Sequence, residues 1–336
     1  MVLAAIALVA VAATPAGAAP GPATRATASG SIGLRLLEAP AAAGNDPRAR
    51  IYIIDHLAPD TVIERRIEIS NSTASSAHIL LYPSAATIVK GSFLGAAGHT
   101  PNDLSTWISV TPRSSDVLAG GSATASVTIA IPSDAPPGEH YGVVWAEQRT
   151  APASGTGITQ VSRVGIRIYL SVGSGGAPAA DFTIDSLTAQ RSPDGRPMIV
   201  ATVHNTGGRA LDMHGTLNLL HGPSGLSAGP FPATLGTTLA IDATEPVTIA
   251  LDEELPAGPW DARITLQSGL LKRSARAIVT FPASGTTPPV TTSTGPPGWL
   301  YPGVAVLGFL LLLAIAAWLV ARSRRRLPRL GALGNS

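Results

Sequence analysis

Apolar and polar residues alternate along several stretches of the chain. Between Gly121 and Ile131, Ala123, Ala125, Val127, Ile129 and Ile131 fall on one side, and Thr124, Ser126 and Thr128 on the other. A period of two is that of an antiparallel strand with one face buried. It recurs in Ile63, Ile67 and Ile69 against Glu64, Arg66 and Glu68. It recurs again in Val164, Ile166, Ile168, Leu170 and Val172, with Arg167 and Ser171 opposite. Further on, Ala262, Ile264 and Leu266 oppose Asp261, Arg263 and Thr265, and after a Ser268-Gly269 turn, Ala275, Ala277, Val279 and Phe281 alternate. No segment between the two ends has a convincing helical period. The pattern predicts an all-β protein of short strands, and so tandem immunoglobulin-like β-sandwiches.

The two ends are different. Residues 1–13 are an apolar run too short to span a bilayer, followed by Ala16-Gly17-Ala18. This is the form of an export signal, with cleavage expected after Ala18. Residues 299–321 are 23 uncharged, mostly apolar positions, about 34 Å as a helix and long enough for a transmembrane span. Trp299, Tyr301 and Trp318 lie towards its ends, where interfacial aromatics sit. Arg322, Arg324, Arg325, Arg326 and Arg329 follow directly. By the positive-inside rule, the tail 322–336 is cytoplasmic and the body lies outside the cell membrane, facing the wall.

Two folded stretches are expected between these ends, 31–172 and 181–282, separated by Gly173-Ser174-Gly175-Gly176-Ala177-Pro178. Residues 283–298 form a Thr/Pro-rich stretch that reads as an extended stalk. The two stretches share landmarks in the same order. Each has a strand ending in Asn, at Asn71 and at Asn205. Each later has a Pro-containing turn ending in Gly, at Gly138 and at Gly258, that leads into a strand. Asn and Gly both tolerate positive φ, which suits tight turns at strand ends. The first stretch carries an elaborated middle around Ala74–Asp103.

The charge adds to the topology. There are 23 Lys and Arg against 21 Asp and Glu, a net of +2. Five of the arginines lie in the tail, so 18 basic residues face 21 acidic ones upstream. The positive net charge records membrane orientation, and no nucleic-acid partner is expected. The absence of cysteine excludes disulfides, cysteine-ligated metals and a thiol nucleophile. Gly225-Leu226-Ser227-Ala228-Gly229 has the letters of a nucleophile elbow, but Pro230 and Pro232 block the helix that such an elbow needs. His204, His214 and His221 lack metal-ligand spacing, and Asp252-Glu253-Glu254 reads as a solvated loop. A non-catalytic protein without cofactor or metal is expected.

Trp107, Trp145 and Trp260 read as core residues. Tyr82, Phe93 and Tyr141 are the candidate exposed aromatics, of the kind that serve glycan and peptide binders as flat platforms. The order Gly33–Glu38 (GLRLLE), Asp46–Arg50 (DPRAR), the Asn71 strand end, and Ala135–Ala146 (APPGEHYGVVWA) resembles the actinobacterial branch of the WxL-interacting protein family, in its peptidoglycan-binding domain. The resemblance implies a membrane-anchored cell-envelope protein whose first domain binds peptidoglycan and whose second engages a surface protein. From the residues alone, a protein–protein module without glycan binding, an adhesin or an envelope assembly partner, stands as the alternative.

Overall fold

The computed structural model describes residues 30–40, 43–151, 157–233 and 236–293. The export signal with its Ala18 cleavage, the span 299–321 and the Arg322–Arg329 tail lie outside the described residues. Among the described residues, no helix is long and apolar enough to cross a membrane.

The described chain is all-β. The first domain comprises β1 (Ile32–Leu36), β2 (Ile53–Leu57), β3 (Val62–Asn71), β4 (Ala77–Val89), β5 (Ser92–Gly95), β6 (Ile108–Thr111), β7 (Ser114–Val117), β8 (Ser122–Ala130), β9 (Gly138–Thr150) and β10 (Gln160–Val172). One helical turn, α1 (Asp103–Thr106), is capped by Asn102, whose side chain accepts from the Ser105 N–H. The second domain comprises β11 (Phe182–Arg191), β12 (Pro197–Asn205), β13 (Leu211–Asp212), β14 (His214–Leu220), β15 (Ala228–Pro232), β16 (Thr238–Leu239), β17 (Thr244–Ala250), β18 (Trp260–Ser268), β19 (Leu271–Val279), β20 (Gly285–Thr286) and β21 (Val290–Thr291).

Each domain is two sheets face to face. In the first, the sheet β1-β3-β8-β6 packs on β2-β10-β9-β4, which β5 and β7 extend. In the second, β17-β12-β11 packs on β15-β14-β18-β19, with a small β13-β16 ladder beside them. The alternating residues read from the sequence face inward. Ile67, Ile69, Val127, Ile129, Ile168 and Leu170 share one core, and Val203, Leu217, Ala262, Ile264, Leu266 and Phe281 share the other. Each fully buried Ile or Leu contributes about 1.5–3 kcal/mol.

The repeated landmarks have a structural meaning, though not in full the expected one. Gly138 and Gly258 adopt φ of +128° and +117°, which favours glycine. Asn71 and Asn205 have no positive φ; they are buried hydrogen-bonding hubs. The Asn71 amide donates to the carbonyls of Ser75 (2.8 Å) and Val117 (2.9 Å), and its Oδ1 accepts from the Thr73 N–H (3.0 Å). The Asn205 amide donates to Arg209 and Ala240 (both 2.9 Å), and its Oδ1 accepts from the Gly207 N–H (3.0 Å). Each side chain therefore ties the end of its strand to the turn that follows and to the segment leading into the neighbouring strand, β8 or β17.

The Thr/Pro segment also departs from expectation. Its first part does not leave the domain. β20 and β21 pair antiparallel with β11, Gly285 opposite Arg191 and Thr291 opposite Ser186. Ser293 bridges to Arg276 on β19, so the segment spans the edges of both sheets. Thr has high strand propensity, and its hydroxyls bond the exposed carbonyls: Thr287 donates to Ala189 (2.9 Å) and Thr292 to Ile184.

Asn205→Ala is expected to destabilise the second domain by about 3 kcal/mol, because it leaves buried carbonyls without donors. Asn71→Ala is expected to do the same to the first. Urea unfolding followed by hydrogen exchange checks this: in each variant, protection is lost first in the mutated domain.

Candidate functional site

The alternation in β9 and β10 predicts one buried face, with Trp145 in the core, and leaves the outward face uncovered. Instead it is largely covered. Strand alternation sends Val144 and Ala146 to the inner core, and Tyr141, Val143, Trp145 and Glu147 to the outer face. Trp145 is therefore not between the sheets. Its indole lies where a Cβ on Gly165 or on Gly95 would approach it to 2.7 Å, so both positions require a residue without a side chain. Its Nε1 donates to the Ala96 carbonyl at 2.8 Å. Trp260 is in the core of the second domain, and Trp107 packs against that of the first.

None of the three candidate platform aromatics is a free platform. Tyr82 is 4% exposed, stacks on His99 at 4.1 Å between ring centroids, and donates to Glu147. Phe93 and Tyr141 are half-buried and pack edge-on, each also against the buried Tyr169. The Arg167 guanidinium lies over Phe93 (4.9 Å) and Tyr52 (5.3 Å), and that of Arg48 over Tyr169 (5.0 Å).

What covers this cluster is the second domain. The Asp212 carboxylate, at the end of β13, is the meeting point. Its Oδ1 accepts from Tyr169 (2.8 Å), Thr238 (2.9 Å) and Arg167 (3.1 Å). Its Oδ2 accepts from Arg48 Nε at 2.9 Å, with Nη2 of the same guanidinium at 2.7 Å. Burial, then the nearby Asp212 charge, push the Tyr169 hydroxyl up, so it stays a proton donor. Around this centre, Glu139 accepts from Tyr141 and from the Ala210 N–H (both 2.7 Å), and its own carboxyl is raised, chiefly by burial. The tip of the β4–β5 hairpin reaches across too: the Thr238 N–H donates to the Gly91 carbonyl at 2.7 Å. Cavities of about 250 and 510 Å³ flank the junction, the larger lined by Arg48, Tyr52, Arg167, Asp212 and His214.

A second charged centre anchors the base of the β9–β10 hairpin. Glu147 is 1% exposed and accepts from Tyr82, Arg149 (2.6 Å) and Arg163 (2.6 Å). Burial alone would raise its pKa, but these bonds outweigh it and hold the carboxyl at about 2. The Tyr82 hydroxyl is pushed up to about 12 by burial and by this carboxylate. Past Glu147 the hairpin runs on alone. β4 pairs with β9 only as far as Gln148, and β2 pairs with β10 only from Ile168 onward. Among the described residues, no strand pairs with 160–167 of β10 on the side away from β9. Ile158 is 91% and Val161 42% exposed there.

No protein-family model matches the sequence, and no curated protein matches it significantly. Among solved structures, the chain is similar to the YadV chaperone at 12% identity and a TM-score of 0.39, over 73% of this chain and 99% of that one. It is similar to the E. coli chaperone DraB at 10% and 0.37, over 78% and 97%. It is also similar to the Salmonella enterica SafA pilin–SafB chaperone complex at 10% and 0.38, over 78% and 95%. The two sandwiches are defined by this chain's own strand pairing.

The remaining sequence candidates stay apart. His204 bonds Thr244 (2.9 Å), His214 bonds Gln267 (2.7 Å), and His221 faces Asp261 at 3.6 Å. Among the described residues no group of His, Asp and Glu is placed to hold a metal. Ser227 shares a shallow surface cavity with Asp252, Glu253 and Glu254, and no histidine lines it. The Asp212 junction was not anticipated from the sequence. Its one signal was Arg167, a lone charge in the strand Val164–Val172.

Asp212→Asn is expected to cost about 2–3 kcal/mol. That is less than a fully buried pair costs when one partner is removed, because the junction is partly exposed. Calorimetry should show the two domains melting apart, and small-angle scattering a broader distribution of interdomain distances. The depressed Glu147 carboxyl stabilises the fold fully above about pH 4.5, and that contribution is lost as pH falls towards 2. Glu147→Gln is expected to be less stable by about 2 kcal/mol at pH 7 and to converge on the parent in acid, as read by urea midpoints from pH 7 to 2.

Proposed function

We propose that this chain is a membrane-anchored protein of the cell envelope whose immunoglobulin-like ectodomain binds another protein. The expected export signal and the span 299–321 supply the address. The contact assigned to the partner is the outer part of the β9–β10 hairpin.

The observation that carries this reading is the unpaired edge of β10 at residues 160–167. An edge strand presents a row of N–H and C=O groups, and an extended segment of another protein satisfies them by adding a strand. Specificity then comes from side chains on alternate positions. Here Ile158 and Val161 offer apolar contact, and Arg163, held by Glu147, offers a fixed charge. The base of the hairpin is rigid because Glu147 and Trp145 tie it to β4 and to the β5 loop. A rigid, exposed edge limits the ordering entropy lost on binding. The support for a protein partner over peptidoglycan is that Tyr82, Phe93 and Tyr141 are packed among other side chains, so no flat aromatic platform faces solvent at these positions.

A photo-crosslinking residue at position 161 of the full chain, in cells, is expected to capture one discrete protein. Ile158→Asp with Val161→Asp is expected to reduce that adduct more than tenfold without lowering Tm. No adduct, with retention of both parent and variant on insoluble peptidoglycan, would overturn the proposal in favour of wall binding.

A further inference from the structure

The β11 edge of the second domain is occupied by the chain's own segment 285–293, and the manner of its attachment is unusual. No side chain of that segment is buried. The core of the second domain closes without it: Phe281 is the last residue of the chain in that core. The segment is held by main-chain bonds and threonine hydroxyls. Thr287 N–H donates to Ala189 (3.0 Å), and Thr292 N–H to Asp185 (3.1 Å), whose carbonyl a bulge in β11 turns outward. Ser293 and Arg276 exchange two bonds, at 3.0 and 3.2 Å. Pro288 and Pro289 carry no N–H, so the ladder is broken into two pieces of two residues each. Only Pro282, Ala283 and Ser284 connect the last core residue to the segment.

We infer that this edge is a strand-exchange site, and that its partner is the segment 285–293 of a second copy of the chain. Detachment exposes backbone and threonines but no core, so the segment leaves its seat without unfolding the domain. The seat fits this sequence by register and by hydroxyl placement, and a second copy supplies the same sequence. Exchange of identical elements restores every bond in both copies, which makes it a low-cost route to a two-fold dimer. Anchorage of two copies in one membrane by residues 299–321 would raise their effective concentration for the exchange. This dimer would use the second domain and is independent of the partner site on the β9–β10 hairpin.

The chain has no cysteine, so introduced thiols report without background. Ser186 and Thr291 lie directly opposite each other in the ladder. Full-length Ser186→Cys and Thr291→Cys chains, with tags of different size, are co-expressed in one membrane and oxidised. The expected result is a disulfide-linked heterodimer, at least fivefold above that from Thr291→Cys paired with Ser274→Cys. The Ser186→Cys/Thr291→Cys double variant tests the geometry within one chain. If the double variant closes an internal disulfide and the mixed single variants give no heterodimer above control, the segment stays at home and the inference is overturned. If neither crosslinks, the segment does not occupy the edge and the inference is overturned as well.

Discussion

One carboxylate fixes how the two halves of this protein meet. Asp212 accepts hydrogen bonds from two arginines, a tyrosine and a threonine, and three of those four groups belong to the other domain. Arg167 and Tyr169 stand on the outer face of β10, where a free first domain would leave them in water. The second domain withdraws them, and a guanidinium withdrawn from water must be paired. Asp212 meets that need, and Ser268 and Thr238 place it: Ser268 Oγ accepts from the Asp212 N–H at 3.1 Å, and Thr238 donates to its Oδ1. The aromatic cluster beside this pairing has Tyr169 buried and Tyr52, Phe93 and Tyr141 half-buried around it. The junction thus converts a row of solvent-facing side chains into an interdomain core, in a chain whose aromatic content is only 4%.

The strands were legible because their signal is local. An alternation such as Ala125, Val127 and Ile129 needs one buried face and nothing more, and that face exists whatever the rest of the chain does. The repeat was legible for the same reason, yet the role of its asparagines was not. Asn71 and Asn205 matched a turn residue by type, whereas their function is to satisfy carbonyls on segments some 35 to 47 residues away. The coverage of the outer face was not legible at all. What packs on Tyr82, Tyr141 and Trp145 comes from segments distant in sequence: His99 on Tyr82, Phe93 and Tyr169 on Tyr141, and the Ala96 carbonyl on Trp145. Trp145 illustrates the limit: a large aromatic on a central strand suggests the core between the sheets, but the glycines that make room for it, Gly95 and Gly165, are on the outer face. The Thr/Pro segment misleads in the opposite sense, since its composition is that of a linker while its threonines are good strand formers.

The edges of the sheets distinguish protection from use. β15 carries Pro230 and Pro232 and β17 carries Pro246, residues that cannot complete a ladder. β19 carries Lys272, Arg273 and Arg276, whose charges oppose stacking with another sheet. β11 carries no proline, and there the chain covers the edge itself with residues 285–293. Residues 160–167 of β10 have no proline and carry Arg163 and Arg167, and among the described residues no strand pairs with them on the side away from β9. The four edges of the second domain are thus interrupted, charged or covered, while this stretch of β10 in the first domain is unpaired on one side. The edge assigned to a partner, beside Ile158 and Val161, is held by its own sandwich, because Glu147 anchors the same hairpin with two arginines and a tyrosine.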